Sequence, residues 1–286
     1  MTQANPAAHS AATVLPSPSR PARASLPALV LALVARGRRP GWLLVLLVLV
    51  LWQVRAVVSP LPELPPLSDI AQEWWGAISE GSLLLAVIDT LRVTAIGYAL
   101  AGVAGISIGF LMGRVRAVWS LLEPAVELMR STPVTALLPL LILFLGIGDE
   151  LKVAIVALVA FFPILLNSLA GSRSVSQTMQ LTARTFRLGW WQTQVEVAFP
   201  AALPHILTGL RQALALSLVM AVVTGMFAGN SGVGYFILEA QQLLNVKALF
   251  AGLITIALIG YALNAAFLRV EHHLTRWRRL TPLGAE

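Results

Sequence analysis

The sequence has 286 residues, 57% of them hydrophobic and 12% charged, with a formal net charge of +7. Its mean hydropathy is +0.80, and its charged fraction is about half that of a soluble domain, too little to cover a water-facing surface; an ordinary soluble enzyme is excluded. The absence of cysteine removes disulfide scaffolds, thiolate metal sites and cysteine nucleophiles, and the basic excess of so apolar a chain marks the cytoplasmic side of a membrane protein rather than a nucleic-acid surface.

In chain order, residues 1 to 25 are rich in Ala, Pro and Ser and predict a disordered stretch. Leu26–Ala35 is apolar but too short to span, and fits the membrane surface. Arg36, Arg38 and Arg39 then precede a first span, Gly41–Val58. A secretory signal is the competing reading, but its only candidate cleavage site, Val54-Arg55-Ala56, is poor. The prolines of Ser59–Pro66 predict an extended crossing of the outer surface, and Ser68 is placed to cap an amphipathic segment, Asp69–Gly81, whose Trp74 and Trp75 suit the headgroup layer.

A helix needs roughly 20 apolar residues to cross the hydrocarbon layer. Val93–Gly113, Ala125–Gly146, Leu151–Gly171, His205–Ala228 and Ala248–Val270 qualify, so the expected fold is all-α and polytopic, with six transmembrane helices over residues 41–270. Residues 1–40 and 271–286 are then basic tails on one side. Arg114, Arg116, Arg173, Arg184, Arg187, Arg269, Arg276, Arg278 and Arg279 share that side, against Arg55, Arg92, Lys152 and Lys247 on the other. The positive-inside rule puts both termini and the 171–204 loop in the cytoplasm.

Two spans carry small residues four apart: Gly97, Ala101, Gly105, Gly109 and Gly113, and Gly209, Ala213, Ser217, Ala221, Gly225 and Gly229. Lipid tails are as apolar as leucine, so helices associate in membranes by close packing, and such rows predict helix–helix contacts inside a bundle. Three ionisable or polar residues within spans are candidates for lining a pathway: Arg130, three residues from Glu127; Arg211, two turns into the fifth span; and Asn167. Pairing of Arg130 with Glu127, snorkelling of Arg211 and an interhelical bond from Asn167 are the bland alternatives.

The loop from Gly171 to Pro204 is too long for a passive connection. Ser176 is placed to cap a first helix, Arg187-Leu188-Gly189 breaks it, and a second helix through Trp190 and Trp191 is expected to end at Pro200, with Pro204 before the fifth span. Exposed aromatics on a helix–Gly–helix element fit docking of a soluble partner and, equally, a helix resting in the headgroups.

This loop resembles the cytoplasmic EAA loop of permease subunits of ATP-binding-cassette importers. Ala183 and Pro200 stand where that motif has Ala and Pro, while Leu181, Thr182 and Arg187 replace its Glu, its second residue and its Gly, with a Gly displaced to 189. The wider chain, from about Leu64 to Arg279, is similar to the nitrate/sulfonate/taurine branch through Gly109-Phe110-Leu111-Met112-Gly113, Leu138-Pro139-Leu140-Leu141-Ile142, Phe161-Phe162-Pro163 and Pro200-Ala201-Ala202-Leu203-Pro204. The resemblance implies a type I importer permease of the bacterial inner membrane. By that resemblance two copies would form the pathway, separate ATPase subunits would bind the loops, an extracytoplasmic substrate-binding protein would deliver a small anion, and no cofactor is expected. Thr182, Ala183, Arg184, Arg187, Gly189, Trp190, Trp191 and Pro200 would belong to the coupling segment.

Two other classes were open. Gly229-Asn230-Ser231-Gly232 fits the Gly-x-Ser-Gly of intramembrane serine proteases, but His9, His205, His272 and His273 all fall far from Ser231 along the predicted spans. An ion-gradient transporter predicts inverted repeats and midplane charges, and neither is evident. No phosphate-cradling Gly-x-x-x-x-Gly-Lys-Ser/Thr occurs.

Overall fold

A computed structural model describes residues 40–275. The expectations for residues 1–39 and 276–286 lie outside that range. The first helix, α1 (Pro40–Val58), contains the boundary between two compact units, which falls between Trp52 and Gln53. The bundle is built by the second unit, from Gln53 onward.

Four helices in this unit are long and apolar enough to cross a membrane: α3 (Ser82–Arg114), α6 (Asp149–Arg173), the continuous run Trp190–Ala228, and α11 (Val246–Leu274). A fifth apolar stretch is sharply bent. The expected single helix over 125–146 is instead α4 (Arg116–Ser131), a 3-10 turn (Val134–Leu137) and α5 (Leu138–Leu145), with an 86° bend between the two halves. Pro133 explains the break, because a residue before proline is driven out of the α region, and Thr132 is extended at φ −84° and ψ 125°. Both halves still pack on the same helices. Val118, Trp119, Leu122 and Val126 lie against Met112, Leu165 and Leu169, while Val134, Leu138, Leu141 and Ile142 lie against Val93, Leu151 and Ile155. A sixth apolar helix, Leu43–Val58 within α1, is short for a span.

The rows of small residues seat α3 and the long run against α6. A methyl group at Gly97 would lie 2.6 Å from Val156 Cγ1, and one at Gly105 2.9 Å from Ile164 Cγ2; at Gly109 it would meet the Leu165 carbonyl oxygen. On a neighbouring face of α6, a methyl at Gly209 would sit 2.7 Å from Asn167 Cβ. Backbones this close give each helix dense van der Waals contact, which is what holds helices together in lipid.

Around this core, α2 (Leu67–Ser79) lies across α11, where the Trp74 indole donates to Thr255 Oγ1 at 2.9 Å. Ser68 does not cap this helix. Pro66 stands at the cap, the Leu67 N–H is taken by Gln53 Oε1 at 2.7 Å, and Ser68 Oγ turns to Asp69. The proline-rich segment before it includes a turn closed by Leu64 N–H to Leu61 O at 3.0 Å, rather than running straight. Lys247 of α11 donates to Asp69 Oδ2 at 2.9 Å. That bond, more than the opposing effect of burial, holds the Asp69 carboxyl below its usual value, with a smaller contribution from Ser68.

Candidate functional site

The bundle has two chemically different ends. Asp89, Asp149 and Lys152 lie at one, called here the acidic end; Arg114, Arg116 and Arg173 lie at the other, the basic end.

At the basic end the connection between spans folds as expected in outline. Ser176 Oγ accepts from the Met179 N–H and starts α7 (Gln177–Thr185). The helix closes on Arg187, whose φ is +55°. Its N–H reaches Arg184 O at 2.9 Å, and the following Leu188 N–H reaches Ala183 O at 3.0 Å. This is the left-handed C-terminal cap normally given to glycine. Arg187 occupies the place of the motif glycine and adopts the conformation that a glycine is chosen for. Ala183 is 2% exposed, whereas Thr182 and Arg184 are exposed, with Thr182 Oγ1 bonded back to Thr178 O.

The Gly189 N–H donates to Gln192 Oε1 at 2.9 Å and opens α8 (Trp190–Gln192). A π-helical segment, Thr193–Ala198, follows, and then α9 (Phe199–Ala228). Pro200 therefore does not end a helix, and Pro204 lies inside α9. Just after the π segment the α ladder is already interrupted, so a residue without an N–H is tolerated. Trp190 and Trp191 are 49% and 74% exposed, with their rings edge to face 4.6 Å apart. Phe186 and Val195 are also exposed, so this element presents an apolar ridge.

The long helix carries the second feature. Its exposed positions include His205, Thr208, Arg211, Gln212, Ala215, Leu216 and Val219, one stripe at helical spacing. Ala202 packs on Gly171 at the basic end, and Arg211 lies about 13 Å further along the helix at 1.5 Å per residue. Arg211 and Asn264 lie at one end of a groove of about 320 Å³ between α9 and α11, with apolar walls of Leu214, Leu218, Val219, Ile256 and Leu263. Asn167 joins the same level: its Nδ2 donates to Pro163 O at 2.8 Å and to Gln212 Oε1 at 3.4 Å. Arg130 stands apart from this group, with its Nη2 paired to Glu127 Oε1 at 2.6 Å on its own helix.

The acidic end holds a cluster that sequence reasoning missed. Lys152 is 2% exposed; its Nζ reaches Asp89 Oδ2 at 3.0 Å, Asp149 Oδ1 at 2.9 Å and Ser231 Oγ at 2.8 Å. Ser231 Oγ in turn donates to Asp89 Oδ2 at 2.7 Å. Asp89 precedes the expected span Val93–Gly113 but belongs to a helix that begins at Ser82. Gly232, at φ +94°, makes the turn into α10 (Val233–Gln242), whose first N–H is taken by Thr90 Oγ1 at 2.8 Å. Acidic and basic residues at neighbouring span ends were the available signal. The Ser231 hydroxyl donates to the Asp89 carboxylate, and the Lys152 ammonium donates to Asp89, to Asp149 and to Ser231 itself, so both carboxylates are tied to the ammonium and none is free to activate a nucleophile.

A model of the family described as the binding-protein-dependent transport system inner membrane component matches residues 101–280. The chain belongs to this family. It is an all-helical, inner-membrane transport permease. It is 33% identical over 248 residues, 84% of this chain and 90% of the relative, to a protein of Bacillus subtilis described as an aliphatic sulfonates transport permease, SsuC. It is 34% identical over 173 residues, 60% of this chain and 63% of the relative, to the taurine transport permease TauC of Escherichia coli. A riboflavin transport permease of Chloroflexus aurantiacus, RibX, is 33% identical over 234 residues, 81% of this chain and 87% of the relative. Among solved structures, an inward-facing MetNI methionine ABC transporter matches with a TM-score of 0.61 at 18% identity, covering 68% of this chain and 96% of that chain, a likeness in fold.

Proposed function

We propose that this permease forms the translocation pathway of an ATP-driven importer for a small organic anion of the sulfonate or taurine type. The observation that carries the choice of cargo is the exposed stripe of α9. Arg near a span centre costs about 2.5–3.5 kcal/mol when it faces lipid. A face bearing Thr208, Arg211 and Gln212 at this depth is suited to a polar pathway, and a guanidinium there attracts anions. The relatives transport sulfonates, taurine and riboflavin, and Arg211 favours the anionic members of that set. Asn167 lines the same pathway, while Arg130 contributes by fixing Glu127.

In this reading the basic end faces the cytoplasm, both termini with it, and residues 271–286 form a tail there. The segment from Thr182 to Pro200 is the coupling element, and its apolar ridge takes a separate ATPase subunit; the chain itself hydrolyses nothing. A second copy completes the pathway, and a substrate-binding protein meets the acidic end. ATPase closure can bias the pathway only through contacts that differ between its two states, which a capped, rigid α7 and a continuous Trp190–Ala228 helix are built to transmit.

Reconstitution with ATPase and binding protein tests this. Uptake of an alkanesulfonate should require ATP, and Arg211→Gln should abolish most uptake while ATPase association persists. Accumulation of solute by vesicles holding this polypeptide alone, without nucleotide, would overturn the reading.

A further inference from the structure

At the basic end, three helix termini converge on one pocket of about 360 Å³, lined by Met112, Gly113, Arg114, Arg116, Trp119 and Arg173. Its charge is uncompensated. No carboxylate lines it, and among the described residues none of the three arginines has an ion-pair partner. Two of them are nonetheless held in place. Arg114 donates from Nε to Gln194 Oε1 at 2.6 Å and from Nη1 to Ser172 O at 3.4 Å, which leaves Nη2 free of these bonds. Arg173 lies over the Trp119 ring, 3.8 Å from its centroid. Arg116 is exposed at the start of α4.

Like charges gathered without a counter-ion repel one another, and a guanidinium offers five donors in a fork that matches phosphate oxygens. The pocket lies between the ends of span helices, beside the buried side chain of Met112 and an indole. That is the level of lipid headgroups, where basic pockets between helices take anionic lipids. Scattered positive-inside charge requires neither convergence nor an aromatic clamp.

We propose that Arg114, Arg116 and Arg173 form a binding site for a phosphate group, supplied by the headgroup of an anionic phospholipid. The site adjoins the coupling segment directly, because the Arg114 that faces the pocket also holds Gln194, a buried residue of the π-helical segment. The inference is independent of the cargo.

The full-length protein is delipidated in detergent and incubated with vesicles of equal phosphatidylglycerol and phosphatidylcholine. Bound lipid is then read by native mass spectrometry. Phosphatidylglycerol should be enriched on the natural protein, and Arg116→Gln with Arg173→Gln should reduce that enrichment by about fivefold for each charge removed. Arg184→Gln with Arg269→Gln, equal in charge but outside the pocket lining, should leave it intact. In a parallel arm, inorganic phosphate replaces the vesicles and thermal stability is the readout. A rise with phosphate that the pocket variant loses, without preference for phosphatidylglycerol, assigns the same site to free phosphate instead of lipid. Arg116→Gln alone covers the case in which the double variant does not fold, since Arg116 holds no other group. Equal losses from pocket and control variants, or no preference for either phosphate source, overturn the proposal.

Discussion

The two ends of the bundle solve opposite problems. At the acidic end Lys152, Asp89, Asp149 and Ser231 satisfy one another inside the chain, and the Lys152 ammonium at their centre is sealed from solvent. At the basic end Phe186, Trp190, Trp191 and Val195 are exposed, and the arginines lack carboxylate partners. One end is finished by its own residues; the other is shaped to be finished by something else. Groups that pair internally fix a geometry, whereas groups left open advertise where partners bind.

The contrast is broken most forcefully by removing the internal partner. Lys152→Met should leave Asp89 without its ion-pair partner and destabilise the protein by roughly 3–5 kcal/mol, seen as a large drop in thermal stability in detergent. Asp89→Asn with Lys152→Met should recover part of that loss. At the open end, Trp190→Ala with Trp191→Ala should change stability little, because both rings are exposed. It should instead weaken ATPase retention during purification by about 30-fold, as for one interface hot spot of roughly 2 kcal/mol. Unchanged retention would remove the ridge from the docking surface.

Arg187 tests the same end from within. A side chain in the left-handed region costs roughly 1–2 kcal/mol that glycine does not. Arg187→Gly should therefore raise stability by about 1 kcal/mol, read from the denaturation midpoint, provided that its charge contributes nothing to the fold. The smallest effect belongs to the Asp69–Lys247 pair. Because the Asp69 carboxyl titrates below its usual value, the tie is present at neutral pH and is lost as the pH falls through that lowered value, beneath about 4. Hydrogen exchange in Leu67–Ser79 should accelerate on that acid side, and Lys247→Gln should remove the pH dependence.

What was legible in the sequence is what is local. The glycine and alanine rows, the Ser176 cap and the break at Arg187-Leu188-Gly189 each depend on residues within a turn or two, and the structure places them as read. The departures of the 171–204 loop from the motif it resembles hid a shared geometry, since a table of residue types does not reveal that Arg187 takes a glycine's backbone. Pro200 misled because proline usually ends a helix; its neighbours form a π turn that already lacks the hydrogen bond proline would break. The Asp89–Lys152–Ser231 cluster joins residues from three separate elements, and no periodicity links them. Asp89 read as a charge just ahead of the second span and Lys152 as one at the outer end of the fourth, until the packing of α3 on α6 brought them together.

The π-helical segment Thr193–Ala198 has one more consequence. Such a segment is an α-helix with a surplus residue, and each residue of an α-helix advances the azimuth by about 100°. A helical wheel drawn unbroken from Trp190 to Ala228 therefore misplaces everything on one side of Thr193 by that angle. The compass bearing of the tryptophans relative to Arg211 is set by this single insertion, and deleting one residue there would swing the two faces out of alignment without touching either.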